Sequence, residues 1–238
     1  MIRIRNWRRV HLSAGLSWLM KLLMVGMIPY EVYRGGYLFT SLILLAVGIS
    51  LVPSLVQRNY NITLPFELDL LITLSIFLHT FLGEGLDFYS RYWLWDKLLH
   101  VYGSAVFALL AFTIVYTLHY TRKLRLTLPL IGLFTFAFSM AMGAMWEIAE
   151  FGVDNIFGSQ SQHGLADTMI DLINDFAGGL AAAGLGVVYV KYSNQETRKR
   201  LARPLGEVFG LAGRVDRLKS RIKDMEKAIE DRRGPGGE

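Results

Sequence analysis

Carboxylates and histidines cluster at three places between residues 96 and 175, and their spacing is helical. Asp96 and His100 stand one turn apart on a common face. Glu147, Glu150 and Asp154 follow one another at steps of three and four, and Asp167, Asp171 and Asp175 at steps of four. On a helix, Asp175 lies about 12 Å along the axis from Asp167. His79, with Glu84 and Asp87 soon after it, falls near the same helix ends. Side chains of these types can ligate a divalent cation, relay protons or lock helices in register. The metal candidates are Asp96, His100, Glu147, Glu150, Asp171 and Asp175, and His79, Asp154 and Asp167 form a secondary polar set.

What sharpens the reading is where these groups sit. The chain is 53% hydrophobic and 19% charged over 238 residues, and the apolar residues come in long blocks rather than in alternation. Six blocks are long enough to cross a bilayer, which takes about 20 apolar residues each. They run over 12–28, 37–56, 65–82, 95–116, 126–151 and 168–190. The first is interrupted by Lys21, and the third opens on Glu67 and Asp69, which points to a true start near Leu70. No short alternating segments of a β-barrel appear, so the expected fold is all-α: a polytopic membrane helix bundle over 1–192. The N-terminal arginines before the first block resemble a signal peptide, but without a small-x-small cleavage site an uncleaved helix is expected.

Within such spans charge is expensive and marks function by default. Several carboxylates in a low dielectric need neutralising, by a divalent cation, by protons or by basic side chains. Arg91 and Lys97 are the local bases, too few for the whole set. Each residue also has a plainer role. Asp96 and Asp167 stand at helix starts, where a carboxylate caps free amides and suits the dipole. Capping does not account for Glu147, Glu150, Asp171 or Asp175. His100 alone would read as a core histidine, His163 as solvated beside Gln160 and Gln162, and His119 as interfacial. Gly178, Gly179, Gly184 and Gly186 read as helix-packing positions.

The connecting strips orient the bundle. Arg3, Arg5, Arg8 and Arg9, then Arg58, then Arg122, Lys123 and Arg125, then Lys191, Arg198, Lys199 and Arg200 alternate with strips that hold Arg34, then Arg91 and Lys97, then no base, so every strip of the first set but the thin Arg58 loop is richer than its neighbours. By the positive-inside rule both termini are cytoplasmic, and the acids lie in the outer half of the membrane. Tyr89, Tyr92, Trp93 and Trp95 fall where an outer aromatic belt would. The basic residues fit anionic lipid headgroups, and no nucleic-acid partner is expected. The tail over 193–238 differs: Leu211, Val215, Leu218, Ile222, Met225 and Ile229 form a heptad seam in a helix expected over 206–232. It suits either a surface-lying amphipathic helix or a short coiled coil that makes a homodimer.

The absence of cysteine excludes disulfides and thiolate chemistry, and no P-loop, dinucleotide fingerprint, zinc-protease helix or serine triad is present. The string Asp96-Lys97-Leu98-Leu99-His100-Val101-Tyr102-Gly103 resembles the DKxxHxxG segment of VanZ-like membrane proteins. Glu147 and Glu150, then Asp167 and Asp171, fill the places of that family's later acidic motifs. The doubled glutamate and the aspartate ladder resemble still more closely the YjdF-like inner-membrane family, over roughly residues 65–190. The resemblance implies a membrane fold and a cell-envelope role, without defining a reaction. Three functions follow as alternatives: a divalent-cation site acting on a lipid-like or cell-envelope substrate, a register-fixing polar network in a structural protein, and a proton- or cation-coupled carrier. The carrier is disfavoured by the uncharged second half of the last span and the lack of an evident inverted repeat.

Overall fold

The computed structural model describes residues 3–159 and 161–210, and among these every regular element is helical. Six helices are long and apolar enough to cross a membrane: Leu12–Tyr33, Tyr37–Tyr60, Pro65–Gly85, Trp95–Tyr120, Leu128–Phe157 and Leu165–Tyr192. They correspond to α1 (Arg3–Tyr33), α2 (Tyr37–Tyr60), a composite third span, α5 (Trp95–Tyr120), α6 (Leu128–Phe157) and α7 (Leu165–Tyr192). The third span comprises a 3₁₀ turn (Pro65–Glu67), α3 (Leu68–Phe77) and a π-helical stretch (Leu78–Gly85). Its α-helix thus begins at Leu68, before the expected Leu70. Glu67 at its N-cap takes a left-handed φ of 52°, which turns the chain out of the preceding loop. The short α4 (Phe88–Arg91) links the third span to α5.

Two three-helix groups result. α1 packs on α2 and α3, α5 packs on α6 and α7, and α3 joins the groups through α5. The closest packing is between α5 and α7, because α7 presents glycine to its neighbours. A Cβ at Gly178 would run into the backbone carbonyl of Val101 on α5, and one at Gly179 would press on Ser139 of α6. Gly184 faces open space, so it has no part in that contact.

One end of the bundle is basic. There Phe112, Tyr116, Ile131 and Val190 form a buried apolar cluster, closed from below by Leu201 and Ala202 of α8 (Gln195–Val208). The sequence reading saw only a basic strip here. Asn194 caps α8 by accepting from the amide of Thr197 at 2.9 Å, and Arg198 donates to the terminal carbonyl of Val190 at 2.9 Å, completing the end of α7. Residues 206–208 are the last of α8 and Gly210 follows with a φ of 63°. The heptad positions from Leu211 to Ile229 lie outside the described residues.

Lys21 has a reason to interrupt the first span. Its ammonium is buried, donates to Ser17 at 2.9 Å and Ser54 at 2.7 Å, and lies 3.5 Å from Asp69. Ser54 in turn donates to Asp69 at 2.5 Å, and Ser17 shares a hydrogen bond with Thr73 at 3.1 Å. One network therefore ties α1, α2 and α3 together. Removing one ion from such a pair strands the other in a low dielectric, at about 3–5 kcal/mol. Lys21→Met and Asp69→Asn should each lower the melting temperature in mild detergent by several degrees, with the double variant losing much less than the sum. Additive losses in that cycle would show that the two charges do not depend on each other.

Candidate functional site

The opposite end of the bundle is acidic, and α5 supplies its centre. His100 is buried (8% exposed) on the face of α5 that meets both α6 and α7. Its Nδ1 lies 3.2 Å from Asp175 Oδ1 on α7. A carboxylate only accepts, so Nδ1 carries the proton and Nε2 points the other way. Nε2 lies 3.6 Å from Asp96 Oδ1 and 3.6 Å from Glu147 Oε1 on α6, both too long for hydrogen bonds. The approach of Asp175 depends on Gly143 of α6, where any Cβ would run into that carboxylate.

Three buried carboxylate oxygens in this cluster have no hydrogen-bond partner among the described residues: Glu147 Oε1, Asp171 Oδ1 and Asp175 Oδ2. Their residues are 5%, 3% and 2% exposed, so bulk water does not satisfy them. Asp96, His100 and Asp171 each offer a ligand atom, all lying within 4.8 Å of one another.

Above His100, Lys97 gathers acids from two helices. Its Nζ lies 2.9 Å from Asp96 Oδ2, 2.5 Å from Asp167 Oδ1 and 3.0 Å from Asp171 Oδ1. Neither α5 nor α7 has a side-chain N-cap, so Asp96 and Asp167 are engaged by Lys97 and do not cap their helices. The local bases remain too few for the whole set of acids, but Lys97 engages more of them than its single charge suggests. One lysine, placed by helical spacing between the two acids of α7 and its own neighbour Asp96, reaches three carboxylates. Lys97 is thus the site residue that sequence reasoning missed. The signal was its position beside Asp96 and one turn before His100.

The remaining predicted residues are placed around this core. Glu150 is not one of the three grouped ligand residues; it lines the cavity beside Asp96 and Lys97 and accepts from Trp146 Nε1 at 3.0 Å. Asp154 belongs to the following loop: it accepts from Ser159 Oγ at 2.6 Å and from the amides of Ser161 and Gln162 at 2.8 Å each. It fixes the turn between α6 and α7 and does not join the cluster. His79, on the π-helical stretch, meets Tyr89 OH at 2.5 Å and stacks edge-on against Trp146. Burial, with Asp96, Glu84 and Glu150 nearby, holds the Tyr89 phenol well above its usual pKa. It therefore stays neutral, and its hydroxyl shares a hydrogen bond with His79. His163 is 70% exposed and 3.6 Å from Asp167. His119, at the basic end, accepts from the amide of Leu126 at 3.2 Å and so fastens the α5–α6 loop.

A cavity of about 330 Å³ opens over this end. Its lining includes Asp96, Lys97 and Asp167 of the cluster, the acids Glu84, Asp87 and Glu150, and the aromatics Tyr89 and Trp93.

Fold and site together define a multi-pass helical membrane protein with a buried, acid-rich polar centre at one end. The chain belongs to the family described as predicted membrane protein DUF2238, whose model matches residues 10–192. A protein of Thermotoga maritima, named only as uncharacterized, is 36% identical over 129 residues. The match covers 53% of this chain and 65% of that protein, so a third of the relative lies outside it. No solved structure matches the chain. The family match includes every residue of the His100 and Lys97 clusters.

Gly143→Ala tests whether the cluster depends on that close approach. Overpacking of this kind costs about 1–3 kcal/mol, so the variant should melt several degrees lower. Gly184→Ala, facing open space, should be neutral within about 0.5 kcal/mol. Equal melting temperatures for Gly143→Ala and the parent protein would contradict the placement of Asp175.

Proposed function

We propose that the acidic end of the bundle holds a divalent cation and presents it to a lipid-like or cell-envelope substrate in the adjoining cavity. One observation carries the reading: buried carboxylate oxygens without hydrogen-bond partners surround a histidine whose Nε2 is also unengaged. Asp96, His100 and Asp171 would be the ligands, with Glu147 within reach of the same histidine nitrogen. Two ligand atoms 3.6 Å apart, each about 2.1 Å from a metal, subtend roughly 120° there, which suits a transition-metal ion. The imidazole-carboxylate donor set suits Mn²⁺, Fe²⁺ or Zn²⁺ better than Mg²⁺ or Ca²⁺. Asp175, hydrogen-bonded to Nδ1, would then be the positioning carboxylate behind the histidine ligand rather than a ligand itself. Such an ion could polarise a phosphoryl or acyl group, or activate water.

Membrane setting supports the choice of substrate. The resemblance of Asp96–Gly103 to the VanZ-like segment, and of the whole polar region to YjdF-like proteins, favours a role at the cell envelope of a prokaryote. The basic residues at the opposite end favour a plasma membrane orientation with both termini cytoplasmic and the acidic end outward. Membrane lipids are the nearest partners, and the heptad tail offers a route to a homodimer. A second reading, a register-fixing polar network in a structural protein, is favoured by the way Lys97 joins α5 to α7 through Asp96, Asp167 and Asp171.

Titration calorimetry decides between them. Protein stripped with a chelator in mild detergent should bind about one Mn²⁺ or Zn²⁺, and Asp171→Asn should weaken binding at least tenfold, about 1.4 kcal/mol. A stripped protein that takes up neither ion and whose melting temperature ignores both would leave the structural reading.

A further inference from the structure

Lys97 stands where the proposed cation would have to be balanced. Two of the three candidate ligands, Asp96 and Asp171, already hold its ammonium at 2.9 and 3.0 Å. Asp96 divides its two oxygens, Oδ1 toward His100 and Oδ2 toward Lys97. Asp171 Oδ1 is ion-paired with Lys97 yet outside hydrogen-bond geometry, so the ammonium compensates it imperfectly. Glu147, 5% exposed, has its Oε1 3.6 Å from His100 Nε2, and that oxygen has no hydrogen-bond partner among the described residues. The cluster therefore retains acceptor capacity that one ammonium does not fill, and an added divalent ion would meet that ammonium at close range with like charge.

The third partner resolves the conflict. Asp167 is outside the ligand set, holds Lys97 at 2.5 Å and lines the cavity with it. The lysine can therefore release Asp96 and Asp171 while remaining paired to Asp167 at the cavity edge.

We infer, on the strength of the cation reading above, that Lys97 is a tethered competitor for the cation site. Its ammonium occupies Asp96 and Asp171 until a divalent ion displaces it onto Asp167, and this exchange sets the affinity of the site and its preference for divalent over monovalent cations. A monovalent ion brings no more charge than the ammonium it would replace and must also break its hydrogen bonds, so it gains nothing. A divalent ion brings twice the charge and fills the unpartnered oxygens.

The test uses the full-length protein in mild detergent with Mn²⁺ as probe. Lys97→Gln should bind Mn²⁺ at least tenfold tighter than the parent protein and admit K⁺ as a competitor. A second measurement needs no variant: Mn²⁺ should raise the rate at which an amine-directed acylating reagent labels Lys97, read by mass spectrometry, because the ammonium leaves the two acids for the cavity. A fixed structural salt bridge would show no such change. If the parent protein binds Mn²⁺ but Lys97→Gln binds no tighter, and labelling of Lys97 is unaltered, competition is overturned while the cation site stands. If parent and variant alike bind no Mn²⁺, the cation site and the inference fall together. Should Lys97→Gln not fold, the labelling experiment on the parent protein decides alone.

Discussion

Two basic groups, Lys97 and His100, stand among five carboxylates at one end of this bundle, and that imbalance governs how three helices are built. Asp96, Asp167 and Asp171 share the lysine, and Asp96, Glu147 and Asp175 surround the histidine. Buried charge is tolerated only when it is paired or coordinated. The paired part fixes α5 against α7 and explains why glycine is needed at Gly178, beside the same contact. The part left over is a surplus of acceptors: three buried carboxylate oxygens without hydrogen-bond partners among the described residues, near an imidazole Nε2 that stands 3.6 Å from Asp96 and Glu147.

The other polar network, around Lys21, makes the contrast plain. Lys21 and Asp69 are matched one to one, with Ser17, Ser54 and Thr73 completing the hydrogen bonds. Nothing there asks for a ligand, and its physics is that of a fastening between α1, α2 and α3. At the acidic end the same device, a lysine reaching an aspartate on the next-but-one span, is outnumbered by acids. The difference between the two networks in this protein is therefore one of charge balance, since both lie among apolar helices.

Much of this was legible from residue order alone. The six spans follow from apolar block length, and the acids stand out because charge is rare in such blocks. Their helical spacing correctly placed Asp96 with His100 and Asp171 with Asp175 on common faces. What spacing does not carry is the rotation of one helix against another. That rotation brings Lys97 to Asp167 and Asp171, 70 and 74 residues away, and leaves Glu150 on Trp146 outside the three grouped ligand residues. Lys21 looked like a flaw in a span for the same reason: its partner lies on α3. Asp154 was assigned to the polar set by its step from Glu150, but the short loop to α7 claims it through Ser159, Ser161 and Gln162. α8 went unseen because its apolar residues are few, and it is held by docking against Phe112, Tyr116 and Val190 more than by its own sequence.

The central claim is that the surplus acceptors around His100 take a metal ion. Pulsed electron paramagnetic resonance of the Mn²⁺-loaded protein tests it most directly, because a directly bound imidazole nitrogen modulates the manganese echo. The account predicts one nitrogen coupling, abolished in a folded His100→Gln variant. A manganese signal with water protons alone, identical in the two proteins, would contradict it.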